Sequence, residues 1–234
     1  MPNDRHQQIY AHDASGYERL IEREDADGNL RACLERLLGD GEIDLLDVGA
    51  GTGRIARMLH RRARKLVLTD GSAAMLAEAE RLLRAAGRDD ARFVVADNAS
   101  LPVPDASFDA AIAAWSFGHA TRWFPDDWQA RIASYVDELV RAVKPGGHAV
   151  IIETLGTGAE HPAPPRASLA AYYEYLEAER GFVRETIRTD FVFASIEEGV
   201  ELAAFFGWDA LAEQLRATGT CRAPEWTGVW HREC

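Results

Sequence analysis

The sequence predicts one α/β domain built on a doubly wound, mostly parallel sheet. Three observations predict it. From residue 30 to residue 152, short apolar runs of strand length alternate with runs whose apolar residues recur at helical spacing. Runs such as Leu45-Leu46 and Val150-Ile151-Ile152 are apolar on both faces, as strands covered by helices on both sides must be. The first strand-length run ends in Gly49-Ala50-Gly51-Thr52-Gly53, directly before a helical run. In open α/β sheets ligands bind at such strand-to-helix turns. The 234 residues contain no linker-like stretch that would separate a second domain.

Leu30, Cys33, Leu34, Leu37 and Leu38 mark a helix, stopped by Gly39. Ile43 to Val48 reads as the first strand, and Ile55, Ala56, Met58, Leu59 and Ala63 as the next helix face. Leu66-Val67-Leu68-Thr69 is the second strand, ending at Asp70. Ser72 is placed to cap a helix carrying Met75, Leu76, Ala79, Leu82, Leu83 and Ala86, with Gly87 at its end. Phe93 to Ala96 is a third strand, ending at Asp97, and Phe108 to Trp115 a fourth. Ile132, Tyr135, Val136, Leu139, Val140 and Val143 mark a helix before Pro145-Gly146-Gly147, and Ala149 to Ile152 a fifth strand. Beyond Glu153 the alternation stops. Leu155 to Pro165 reads as loop, and Leu169, Tyr172, Tyr173 and Leu176 share a helix face. Phe182 to Phe193 is strand-like, Ser195 to Glu198 has capping-box spacing, and Glu225 to Glu233 reads as the final strand. An edge hairpin of these last two strands would complete the sheet.

Composition narrows the function. The formal charge is −12, which disfavours a phosphate backbone or an anionic lipid surface as partner. The one dense basic run, Arg61, Arg62, Arg64 and Lys65, reads as a helix end. Cys33, Cys221 and Cys234 are sparse and show neither metal-site nor disulfide spacing, so no metal is expected and a cytoplasmic setting fits. No apolar stretch approaches the ~20 residues of a membrane span, and the first residues lack a signal-peptide core.

Chemistry concentrates at the strand ends. Glycines in the 49–53 turn allow a ligand close to the backbone. A dinucleotide fingerprint would place a third glycine where Arg54 stands, and Asp47 before the turn suits a cationic amine better than a phosphate. Asp70, at the second strand end, can accept two hydrogen bonds from a ribose diol. Asp97, at the third, can accept from an exocyclic amine. Three carboxylates at successive strand ends form one pattern.

These segments resemble the class I S-adenosylmethionine-dependent methyltransferases, in particular the small-molecule type 11 (UbiE-like) branch. LLDVGAGTGR, LVLTDGSAAML, ADNASLPVPDASFDAAIAAW and ELVRAVKPGGHAVIIE carry the resemblance over roughly residues 43 to 154. It implies a Rossmann-like, seven-stranded, mostly parallel sheet with an antiparallel last strand and an N-terminal helical lid. The lid would span residues 1–40, the cofactor core 43–154, an acceptor-side insertion 155–181, and closing strands with a helix 182–234. It further implies that Asp47 and Gly49 face the methionine amino group, while Ala50, Gly51 and Gly53 clear space for sulfonium and ribose. Asp70 would hold the ribose, and Asp97 with Asn98 or Ala99 would meet adenine. Trp115 and Ser116 would line the methionine side. Gly71 stands where a bulky apolar residue usually packs on adenine, and Met75 is a substitute wall. Tyr10 and Tyr17 match the family's YxxxAxxY lid pattern.

The acceptor is expected to be a small molecule, because the segment after the fourth strand lacks the (D/N)PP(Y/F) run of base-gripping nucleic-acid methyltransferases. Methyl transfer from a sulfonium needs mainly alignment, and a base only where the acceptor must lose a proton. His119 is the expected base, with Glu153, Tyr172 and Tyr173 as acceptor-binding residues. The product cofactor would be S-adenosylhomocysteine, and the chain a monomer or homodimer. A non-catalytic S-adenosylmethionine-binding regulator and a nicotinamide oxidoreductase are the alternatives.

Overall fold

The computed structural model describes residues 5–234; the first four residues of the expected lid lie outside the described part. The chain begins with three helices: α1 (Arg5–His12), α2 (Ala14–Ile21) and α3 (Asn29–Leu37). The core follows as β1 (Ile43–Val48), α4 (Arg54–Leu59), β2 (Ala63–Asp70), α5 (Ala73–Ala85), β3 (Arg92–Val95) and β4 (Phe108–Ala114). After a 3-10 turn at Phe117–His119 come α6 (Ala120–Trp123), α7 (Trp128–Ala142) and the long strand β5 (Val143–Thr157). The remainder is α8 (Ala167–Ala178), β6 (Val183–Arg188), β7 (Phe191–Val192), α9 (Ile196–Phe206), α10 (Asp209–Thr218), β8 (Arg222–Ala223) and β9 (Glu225–Glu233).

The seven-stranded sheet has the order β3-β2-β1-β4-β5-β9-β6. β1 pairs in parallel with β2 and β4, whereas β9 runs antiparallel to both β5 and β6. The expected mostly parallel sheet with an antiparallel last strand is therefore present. The last two strands form the expected antiparallel pair at the edge, with β9 against β5 and β6 outermost. The strand expected over 182–193 is broken. β6 stops at Arg188, and β7 pairs instead with β8 in a separate two-stranded sheet.

Successive side chains point to opposite faces of a strand, and each face here is covered by helices. Leu46, Val48, Ala111 and Ile151 face Ile132, Val136 and Leu139 of α7 and Tyr172 and Leu176 of α8. Leu45, Leu68, Ile112 and Ile152 face Leu30 and Leu34 of α3, Ile55 of α4 and Leu76 and Ala79 of α5. A third cluster joins Ile9 and Leu20 of the first helices to Leu202, Phe206, Leu211 and Leu215 of α9 and α10. The N-terminal helices thus rest on the C-terminal helical pair.

Two local expectations are corrected. Ala63 opens β2 rather than ending α4, so Arg64 and Lys65 stand on a strand and not at a helix terminus. Arg64 forks onto both oxygens of Asp44 at 3.0 and 2.7 Å, a neutralising partner that helical spacing does not anticipate. The loop expected from Leu155 begins as strand, because β5 continues to Thr157 and pairs there with Glu225. Ser72 does cap α5: its Oγ accepts from the Met75 N–H at 3.3 Å.

Candidate active site

The sheet reverses its winding direction between β1 and β4, and a cavity of about 450 Å³ opens over that point. Its floor comes from the ends of β1, β2 and β4, and its roof from Tyr10, Tyr17 and Ile21 of the N-terminal helices.

The glycine turn shapes the floor. Gly49 has φ +62°, and a Cβ built on it would fall 1.9 Å from Ser116 Oγ. No other residue fits both restraints. Ser116 Oγ in turn accepts from Asn98 Nδ2 at 3.1 Å, which ties the segments after β3 and β4 together. Gly51 and Ala50 line the cavity, but Gly53 does not. Gly53 has φ +79° and caps α4, and a Cβ there would stand 3.1 Å from Ala79 Cβ and 3.2 Å from Leu68. It serves the approach of α4 to α5 rather than ligand clearance.

The three strand-end acids meet here in different states. Asp47 is buried, and its Oδ2 accepts from the Ala56 N–H at 3.0 Å. Burial pushes its carboxyl up to about 7, and the Asp70 charge adds to the rise. Asp70 holds the turn with both oxygens, accepting from the Gly51 N–H at 2.8 Å and from the Ser72 N–H at 2.7 Å. Burial raises it too, against the pull of those two bonds. A carboxylate offers about four acceptor sites, so Asp70 keeps capacity for a ligand's hydroxyls. Asp97 Oδ1 accepts from the Ala99 N–H at 2.8 Å. That donor is used internally and Ala99 stands outside the cavity wall, whereas Asn98 is part of it. Gly71 lies exposed, with nothing within 4 Å of where its Cβ would be, and Met75 lines the cavity beside it.

The roof is aromatic. Tyr10 Oη and His119 Nε2 are 3.2 Å apart, which joins the first helix to the 3-10 turn after β4. The His119 ring stacks on Trp123 with centroids 4.5 Å apart and planes 7° from parallel. Tyr17 meets Tyr10 edge-on at 5.3 Å, and desolvation holds its phenol well above the ordinary value. Ser72 Oγ donates to the Tyr10 carbonyl at 2.8 Å. Two ion pairs clamp the roof to α4: Arg54 to Glu24 at 2.6 Å, and Arg57 to Glu18. Trp115, which also lines the cavity, has φ +48°, a conformation that costs a non-glycine residue roughly 1–3 kcal/mol and clusters at functional sites.

Three expected acceptor residues are elsewhere. Tyr172 and Tyr173 are fully buried against the sheet, where Tyr173 packs on Trp230 at 4.4 Å and donates to the Thr154 carbonyl at 2.8 Å. Their helix face is a core face. Glu153 lies beneath the 3-10 turn, 4% exposed, and accepts from the Gly118 N–H at 2.7 Å. Burial lifts its carboxyl to about 8. None of the three lines the cavity. Arg54, Ser72 and Tyr135, which the sequence marks only for turn spacing, capping and helix packing, line it as well. Arg54 had a visible signal, its place directly after the last glycine of the turn.

Residues 46–151 match the family model described as a methyltransferase domain. The demethylmenaquinone methyltransferase of Thermus thermophilus is 34% identical over 179 residues, covering 75% of this chain and 73% of that protein. The chain belongs to the class I S-adenosylmethionine-dependent methyltransferases, of the UbiE-like type. A further relative of this methyltransferase, the ubiquinone/menaquinone biosynthesis C-methyltransferase of Desulfotalea psychrophila, is 34% identical over 50% of this chain and 42% of its own. The fold is also that of the Haemonchus contortus phosphoethanolamine N-methyltransferase 2, with a TM-score of 0.59 at 16% identity over 99% of this chain and 60% of that one. The methyltransferase uses S-adenosylmethionine, and the cavity fits it: Gly51 leaves open the space between turn and roof, where a Cβ would meet only Tyr17 at 3.8 Å, beside acids able to meet an ammonium and a diol. No helix among the described residues is long and apolar enough to cross a membrane.

Proposed function

We propose that this methyltransferase acts on a small aromatic acceptor bearing a ring hydroxyl, of the quinol class. The observation that carries the proposal is the roof: Tyr10, His119 and Trp123 stand together in the wall of the same cavity as the glycine turn. A flat ring stacks on such a surface, and an imidazole lies within reach of its hydroxyl. The names of the quinone-methylating relatives point to the same acceptor class.

S-adenosylmethionine, when bound, would supply a methyl group on a sulfonium whose thioether is a good leaving group and would keep the C–S electron pair. The protein's part is to hold, align and deprotonate. Asp47 and the Gly49 backbone receive the amino end, Asp70 the ribose, and Asp97 with Asn98 the adenine, with Met75 beneath. Trp115 and Ser116 border the methionine side. The lid tyrosines Tyr10 and Tyr17 close over the cofactor. His119 takes the proton that the acceptor hydroxyl releases as the ring attacks, and Tyr10 holds the imidazole in place. Proximity of this kind is worth ~7–11 kcal/mol.

The test is direct. Incubation with S-adenosylmethionine and a reduced short-chain 2-alkyl-1,4-naphthoquinol should give a product heavier by one methylene, with S-adenosylhomocysteine formed in equal amount. Methylation of an aliphatic amine with none of the naphthoquinol would overturn the acceptor class.

A further inference from the structure

Arg54 is the first residue of α4, directly after the turn, and it forms part of the cavity wall. Its side chain is only 10% exposed. Nη1 donates to Glu24 Oε2 at 2.6 Å, and the guanidinium lies over the Trp115 ring at 4.5 Å. Nη2 is buried and has no hydrogen-bond partner among the described residues. Leaving a buried charged donor unsatisfied is expensive, so a site that keeps one is incomplete without a ligand. The surroundings restrict the ligand. The Glu24 side chain is itself only 7% exposed, and both its oxygens are engaged, Oε2 by Arg54 Nη1 and Oε1 by Thr189 Oγ1 at 3.1 Å, so it has no oxygen left over for Nη2. Asp47, an acid, stands in the same wall. A buried base and a buried acid in one wall are the complement of a zwitterionic amino-acid head, and a planar guanidinium matches a carboxylate better than any other acceptor.

We propose that Arg54 is the anchor for the α-carboxylate at the amino-acid end of the cofactor, with Glu24 holding the guanidinium in place through the lid. The inference rests on the cofactor and not on the acceptor class. It also gives the lid a second role. Glu24 precedes α3 in the N-terminal segment, so the segment that covers the site is tied to the residue that grips its ligand.

Calorimetry separates this role from its rivals. The probes are S-adenosylhomocysteine and its decarboxylated analogue, S-adenosyl-3-thiopropylamine, which differ only in the carboxylate. The wild-type protein should bind the first at least ~10-fold more tightly. Arg54→Gln should weaken S-adenosylhomocysteine by ~10- to 100-fold and leave the analogue within ~3-fold, erasing the discrimination; Arg54→Lys should restore part of it. Equal loss of both probes would make Arg54 a structural counter-ion of Glu24 and overturn the proposal. Unchanged cofactor binding with a raised Michaelis constant for the naphthoquinol would transfer Arg54 to the acceptor and overturn it as well. Should Arg54→Gln fail to fold, the wild-type comparison decides alone, since equal affinity for both probes refutes a carboxylate anchor. Binding of neither probe to the wild type would instead refute the cofactor assignment.

Discussion

The floor and the roof of the cavity are built by different means. The floor is backbone: a glycine turn, strand ends in register, and carboxylates whose oxygens are held by the N–H groups of Gly51, Ser72, Ala56 and Ala99. Its geometry is local to each strand-to-helix connection. The roof is side chains brought from far apart, with Tyr10 and His119 separated by 109 positions and joined by one 3.2 Å contact. A floor of this kind can be reused with many chemistries, and the proposed acceptor contacts lie in the roof. The third cluster, against which Tyr10 and Tyr17 of the roof pack, is distinct from the two that clamp the sheet.

If the roof owns the chemistry, the largest effect should come from it. His119→Ala should lower turnover by ~10²- to 10⁴-fold while S-adenosylhomocysteine affinity stays within ~3-fold. A mutant with unimpaired turnover and only a raised Michaelis constant would reduce His119 to a wall residue and leave alignment as the whole mechanism.

The floor should fail in the opposite manner. Gly49→Ala places a Cβ 1.9 Å from Ser116 Oγ at φ +62° and should weaken S-adenosylhomocysteine binding by more than ~10-fold. The double variant Gly49→Ala with Ser116→Gly removes the clash and keeps the strained φ, so it should recover part of that loss. Full wild-type affinity in the single variant would show that the close approach of Gly49 to Ser116 does not shape the cofactor site.

The smallest effect concerns Glu153, which supports the roof from below. Its carboxyl is raised to about 8 in the folded state. A raised carboxyl favours the folded protein fully below the ordinary carboxylate range, and the contribution is lost as pH rises through about 8. Asp47 and Glu225, raised to about 7 and about 8, act in the same window. Thermal stability of the wild type should therefore fall from about pH 5.5 to about pH 8.5. Glu153→Gln, neutral throughout and still able to accept from Gly118, should fall by less. Identical declines in both proteins would remove Glu153 from the balance.

The floor was also the legible half. Asp47, Asp70 and Asp97 stand at the ends of apolar runs, and the strand period places such residues at one edge of the sheet. The place of Tyr10 and Tyr17 in the cavity wall was legible only through a family pattern, and nothing local marks the meeting of Tyr10 with His119. The tyrosines of α8 misled for a physical reason: an aromatic stripe at helical spacing looks the same whether it faces a core or a cavity, and Tyr172 and Tyr173 face the core. Glu153 misled because strand-end position does not tell up from down, and its side chain turns beneath the rim towards Gly118. Which of the last two strands lies inside the edge pair was left open as well, since periodicity identifies a strand and not its neighbours. Arg54 showed its chemistry only once Glu24 and Trp115 were seen around it.

The position of β9 between β5 and β6 has a consequence for synthesis. A ribosome delivers β5 and β6 long before the strand that joins them, with α9 and α10 made in between. Until β9 emerges, β5 presents an open edge whose Val150, Ile151 and Ile152 have no partner on that side. Such an edge is a template for pairing with another nascent chain. Closure of the sheet on that side therefore waits for β9, and the open edge persists in the growing chain until that strand has emerged.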